Sequence, residues 1–255
     1  MNNNQAGRLL SLLCGINWTR QKAVVLNIPR TRDVGFALAT IFNFPREEDS
    51  TRVTLDWVLK CLKSYQNCND DVWGTAFLET VVFNVLNIGD KVECTDEVRD
   101  YLCRLGSQET LFVSLLELLP DPYSLVGKEL RDVWKLVDDS NGTCRTALVP
   151  QLDPQAFQLR STDNQFLAFA LPSRIKAKAK AAFLSSPVAG LRVTIKDNIH
   201  LKGIKTSVGN PAFFDTYTVR QESAEFIQKL LDGGVSVVGK SKMNSGTMES
   251  SRRWL

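Results

Sequence analysis

The sequence holds one histidine, His200, and none of its six cysteines (Cys14, Cys61, Cys68, Cys94, Cys103, Cys144) forms a C-x-x-C pair. A zinc site of the Cys/His type is thereby excluded, because four ligands at workable spacing are not there. An excess of charge of one sign is also lacking: 31 basic residues face 28 acidic ones, for a net charge of +3. Such a balance gives no basic face of the kind that nucleic-acid binders carry. No apolar run comes near the ~20 residues of a membrane span. The short stretch 9–13 lacks a small-residue cleavage pattern after it, so it does not read as a signal peptide. Five of the cysteines lie in or near apolar segments, where a free thiol behaves as a small buried hydrophobe. The expectation is a soluble, cytoplasmic chain with reduced thiols and with no metal, cofactor, nucleic acid or membrane partner.

What is present suits a globular protein. Of 255 residues, 44% are hydrophobic and 23% charged, enough for one large core or two smaller ones. Residues 1–118 read as a helical region. Thr54 stands before Leu55, Val58, Leu59 and Leu62, which recur at helical spacing. Trp73, Phe77, Val81 and Val85 form a stripe that predicts a helix over 71–86. Thr95-Asp96-Glu97 is a helix start, since acidic residues favour the positive end of the helix dipole. The apolar run 108–119 predicts a fourth helix. These stripes are core material by default, and the alternative is a non-catalytic interaction protein acting through this helical region.

Residues 119–186 form a connecting segment punctuated by prolines, with plausible strands at 146–149 and 166–171. The run Lys176, Lys178, Lys180 reads as a solvated helix face or a linker. From 187 to 255 the texture changes. Residues 190–197 alternate branched apolar and polar side chains, as a strand does. A loop rich in Gly, Ser and Asn follows. A helix over 222–231 closes on Gly233-Gly234, and Val235-Ser236-Val237-Val238-Gly239-Lys240 is the next strand. Strand, crossover helix, strand is a βαβ unit, and its strands should be parallel. The fold class is α/β: a helical amino-terminal region followed by the first βαβ portion of a mixed sheet.

Both strands end in lysine, Lys196 and Lys240, at the edge where open α/β sheets bind ligands. Gly234 to Ser241 also satisfies the P-loop pattern G-x-x-x-x-G-K-[ST], which would imply a nucleotide binder. Context argues against it. A P-loop lies between a strand and a following helix, whereas here a helix comes first and Val-Ser-Val-Val is strand material.

The wording of the segment goes further. Pro187-Val188-Ala189-Gly190-Leu191-Arg192-Val193-Thr194-Ile195-Lys196-Asp197 closely resembles the opening of the amidase-signature family, a run of the form P-L-A-G-x-x-V-x-V-K-D. Leu201 to Asn210 is similar to that family's V-x-G-x-x-T-x-x-G-S loop, and Glu222 to Lys240 to its helix and following strand. The resemblance runs in register over about 187–244. More faintly, 128–150, with Pro122-Tyr123 and Trp134, resembles the leader of fungal amidase-like proteins. The resemblance implies an amidase-type mixed sheet and hydrolysis of a small amide or ester through an acyl-enzyme. It also implies a Ser–cis-Ser–Lys triad with Lys196 as general base.

The chain departs from that pattern where the serines belong. The family's serines sit in a Gly/Ser-rich stretch downstream of the strand that ends here at Lys240. Ser245, Ser250 and Ser251 lack such surroundings. The expectation is an amidase-signature portion truncated before its serine loop, without activity of its own. The strands at 191–195 and 235–238 read as two-sided apolar strands short of partners, so that an open sheet edge would invite self-association.

Overall fold

A computed structural model describes residues 16–17, 24–26, 35–45, 52–85, 92–115, 118–148, 156–157 and 167–243. Cys14, the run at 9–13, and Ser245, Ser250 and Ser251 lie outside the described residues. The chain divides into two compact units, residues 1–135 with 173–179, and residues 136–172 with 180–255.

The first unit is built on a six-stranded sheet. Its strands are β1 (Val24–Val25), β2 (Ala37–Phe44), β3 (Thr80–Val85), β4 (Glu109–Val113), β5 (Pro122–Val126) and β6 (Glu129–Asp132), in the order β1-β6-β5-β2-β3-β4. Strands β2, β3 and β4 run parallel, and β5, β6 and β1 join antiparallel on the other side of β2. Helix α1 (Leu55–Asn67) connects β2 to β3, and α2 (Asp96–Arg104) connects β3 to β4. Helix α1 buries Val58, Leu62 and Tyr65, and α2 buries Val98 and Leu102, in one core with Phe42, Phe83 and Val85. The Tyr65 hydroxyl donates to the carbonyl of Ile41 at 2.5 Å, tying α1 to β2.

Helices starting at Leu55 and Asp96 match expectation, although neither Thr54 nor Thr95 makes a side-chain cap bond. The helices expected over 71–86 and 108–119 are corrected. Thr75–Glu79 is one 3-10 stretch, and Thr80–Val85 is a strand with all six residues buried. A fully buried parallel strand carries continuous apolar residues, so the spacing of Phe77, Val81 and Val85 imitated a helix stripe by chance. Glu109–Val113 alternates buried and half-buried positions, the period of a strand. Lys176 is corrected too. It lies in α3 (Arg174–Leu184), with its ammonium 2.5 Å from Asp132 and 3.6 Å from Asp121.

The second unit contains a four-stranded sheet of β7 (Cys144–Leu148), β8 (Ala156–Phe157), β10 (Arg192–Lys196) and β11 (Ser236–Ser241). Strand β9 (Ala168–Leu171) lies where a strand was expected. The order is β8-β7-β11-β10, with β7 antiparallel to β11 and β10 parallel to it. Helix α4 (Pro211–Thr216) and helix α5 (Glu225–Asp232) fill the crossover from β10 to β11. The α/β class and the βαβ unit therefore stand. Strand β11 has a second neighbour at its carboxyl end, where β7 pairs with it through Cys144↔Ser241, Thr146↔Lys240 and Ala147↔Gly239, and β10 is the edge strand of the sheet. Strand β10 is half-exposed rather than apolar on both faces. Among the described residues, no helix is long and apolar enough to cross a membrane.

Candidate active site

Parallel pairing of β10 and β11 brings their carboxyl ends to one edge, with Ile195 opposite Lys240 and Lys196 opposite Ser241. Alternation along a strand then separates the residues around Lys196. Ile195 and Asp197 are buried, whereas the Lys196 side chain is exposed. Its carbonyl accepts from the Ile199 N–H at 2.9 Å, which turns the chain immediately after the strand.

The two strand-end lysines fare differently. Lys240 is fully buried, and its ammonium lies 2.8 Å from Asp197 Oδ1. It also donates to Thr206 Oγ1 at 2.8 Å and to the Lys205 carbonyl at 3.2 Å. Burial pulls the Lys240 pKa down, against the opposing pull of Asp197. Asp197, in turn, accepts on Oδ2 from the Ser207 N–H at 3.2 Å and from the Ser207 hydroxyl. Its backbone N–H donates to Ser241 O at 3.1 Å, and its carbonyl accepts from Val208 N at 3.1 Å. Val208 holds φ of 53°, a left-handed conformation rare for a β-branched residue.

The loop after β10 ends at a cavity of about 650 Å³ bounded by His200 and residues 217–224. His200 Nδ1 is 3.2 Å from Thr206 Oγ1. Burial lowers its pKa from the usual 6.5, and so do the nearby positive charges of Arg220 and Lys240. The cavity wall is pinned to the His200 turn, with Gly203 N donating to Arg220 O at 2.9 Å, Lys202 N to Ser223 Oγ at 3.0 Å and Ala224 N to His200 O at 3.0 Å.

The P-loop alternative fails on this geometry. Gly234 to Ser241 runs mostly as strand β11, and the lysine that would reach phosphate is buried on Asp197. A Cβ at Gly239 would meet the Thr146 carbonyl at 2.9 Å and Phe169 at 3.1 Å, so its backbone is packed on protein. Among the described residues, no group of three or more His, Cys, Asp or Glu side chains could hold a metal ion. The thiols of Cys61, Cys94 and Cys144 are pushed up by burial, to about 12, 11 and 11.

The sequence drew attention to Lys196 and missed its surroundings. Asp197, Thr206, Ser207 and His200 form the polar network beneath the strand end. One signal was available. A lysine inside the apolar run of β11 needs an anion, and Asp197 is the sole acidic residue between Pro187 and Asn210.

Residues 157–253 match the model of the Amidase family. The chain is similar to the A subunit of glutamyl-tRNA(Gln) amidotransferase from Lachnoclostridium phytofermentans, 33% identical over 91 residues, which is 35% of this chain and 18% of that one. It is similar to the corresponding protein of Deinococcus deserti, 40% identical over 65 residues, covering 26% and 13%. With that of Prochlorococcus marinus the identity is 30% over 105 residues, covering 40% and 21%. The chain thus spans about a fifth or less of the length of these curated relatives.

Proposed function

We propose that residues 187–243 are the lysine-bearing part of an amide-cleaving acyl-transfer site, with Lys196 as its general base. One observation carries this: Lys196 is exposed at the carboxyl end of β10 while the residues on either side of it are anchored in the protein. Likeness to the Amidase family over 157–253 supports the same reaction class. In such a site the neutral amine takes a proton, through a bridging serine, from the serine that attacks the amide carbonyl. The proton returns to the leaving amine, and water then cleaves the acyl-enzyme.

The serines are proposed to come from a Gly/Ser-rich segment with no counterpart among these 255 residues, which alone would not turn over substrate. Fluorophosphonate labelling tests both halves of this reading. The 255-residue chain should stay unlabelled, and extension with the serine segment of an amidase should confer labelling. Lys196→Ala in the extended chain should slow labelling and hydrolysis by several orders of magnitude, the scale of losing a triad member. Stoichiometric labelling of the unextended chain, or more than about a tenth of the rate surviving Lys196→Ala, would overturn it.

A further inference from the structure

We propose that the buried Asp197–Lys240 ion pair, with Thr206 hydrogen-bonded to it, forms a polar chain that positions Lys196, and that His200 sets the state of that chain from the cavity. The proposal rests on the reading of Lys196 as the base.

The chain is continuous. The Lys240 ammonium forms an ion pair with Asp197 Oδ1 at 2.8 Å and donates to Thr206 Oγ1 at 2.8 Å and to the Lys205 carbonyl at 3.2 Å. Thr206 Oγ1 accepts from Lys240, and we assign its own hydrogen to His200 Nδ1, 3.2 Å away. That bond requires the neutral imidazole with its proton on Nε2. At the other end, Asp197 is held through both its main chain and its carboxylate. Successive residues of a strand point to opposite faces, so fixing Asp197 inward fixes the direction in which Lys196 leaves the strand.

Two observations set this network apart from ordinary packing. A buried ion pair contributes little net stability over an apolar pair of similar volume, yet one stands directly under Lys196. Val208, which donates its N–H to the Asp197 carbonyl, is held in a left-handed conformation that is unfavourable for a β-branched residue. Strain of this kind persists where the surroundings over-determine it, and it gathers at functional sites.

His200 gives the network its response. The charged groups around it are Arg220 and Glu222 on the cavity wall and Lys240 behind Thr206. When the imidazole is protonated, Nδ1 becomes a donor, and Thr206 Oγ1 must accept from two cations at once. The chain then loosens at Thr206, and the anchor on Asp197 loosens with it. Lys196 is held firmly above the His200 pKa and less firmly below it.

NMR of the full chain, with 13C in lysine and histidine, tests this without turnover. His200 supplies the one histidine signal, and Lys196→Arg assigns the lysine. The Lys196 side-chain signals and the amides of 196–199 should move with the same midpoint as His200. Thr206→Val should leave His200 titrating while the Lys196 signals stop following, and Thr206→Ser should restore the coupling. His200→Gln should flatten the Lys196 response, which covers the case of a Thr206→Val chain that does not fold. Lys196 signals that ignore His200 in the wild type, or that still follow it in Thr206→Val, would overturn the proposal. Its failure would leave the general-base reading standing, since that reading falls only if the unextended chain is labelled or if the rate of the extended chain survives Lys196→Ala.

Discussion

Asp197 and Lys240 show how much of this site depends on one pair of charges. Their side chains are 2% and 0% exposed, so neither charge can turn to water when its partner is lost. Asp197→Asn should cost about 3–5 kcal/mol by leaving an uncompensated buried ammonium. The double change Asp197→Leu with Lys240→Met should recover most of that loss, and urea unfolding of the three chains measures both. His200 acts in the opposite sense to a stabilising salt bridge. Its folded pKa lies below 6.5, so between the two values the unfolded chain binds more protons and stability rises with pH. The wild type should therefore lose stability as pH falls below about 6.5, and His200→Asn should remove that part of the slope. Melting curves at pH 5 and pH 7 decide the point, and equal slopes for the two chains would refute it.

At the scale of elements, the turn of chain at the start of α3 is held to the first unit by carboxylates. Asp70 accepts from the backbone N–H groups of Arg174 and Ile175, and Asp121 and Asp132 flank Lys176. Burial pushes the Asp121 carboxyl up to about 8, with Lys176 and the Ser173 hydroxyl pulling it down and Asp132 adding to the rise. A carboxyl raised in this way contributes stability that is whole below its ordinary value of 3.8 and is lost progressively as pH climbs from there to about 8. Asp121→Asn keeps the shape without the ionisation. It should melt above the wild type at pH 8 by a few degrees, with the gap narrowing steadily as pH falls and closing at about pH 4. A constant gap would place the effect elsewhere.

Elements also show what was legible beforehand. The βαβ unit of β10, α5 and β11 could be read because its strands are short, its helix amphipathic and its turn marked by Gly233-Gly234. Gly234 has φ of 89°, and a Cβ there would meet Leu184 at 2.8 Å. Strand β3 was not legible, because six buried residues in a row carry no period. The Asp197–Lys240 pair left only an indirect signal, a lysine within an apolar strand. It joins residues far apart in sequence, and only the register of β10 on β11 brings them together.

Across the whole molecule, sheet closure decides which pieces can stand alone. Strand β2 is paired by β3 on one side and by β5 on the other, and β5 begins at Pro122. A chain ending at residue 118 would strip one edge of β2, where Ala37, Ala39 and Ile41 are fully buried. An unpaired apolar edge templates association with other copies. Such a chain should elute in size-exclusion chromatography as oligomers or aggregate, and a sharp monomer peak would show that β5 is dispensable.

The stretch 173–179 has a bearing on descent. It lies inside the 157–253 match to the Amidase family, yet the first unit owns it, with Ile175 buried in that unit's core. The boundary of the match is therefore no seam at which a gene could be cut and rejoined. A recombination that exchanged residues from 157 onward would carry away the segment that covers Asp70 and Asp121, and a foreign replacement would have to supply an apolar residue and a cation at the same two places. Ile175 and Lys176 are thus expected to vary in step with the first unit, even though by position they belong to the second.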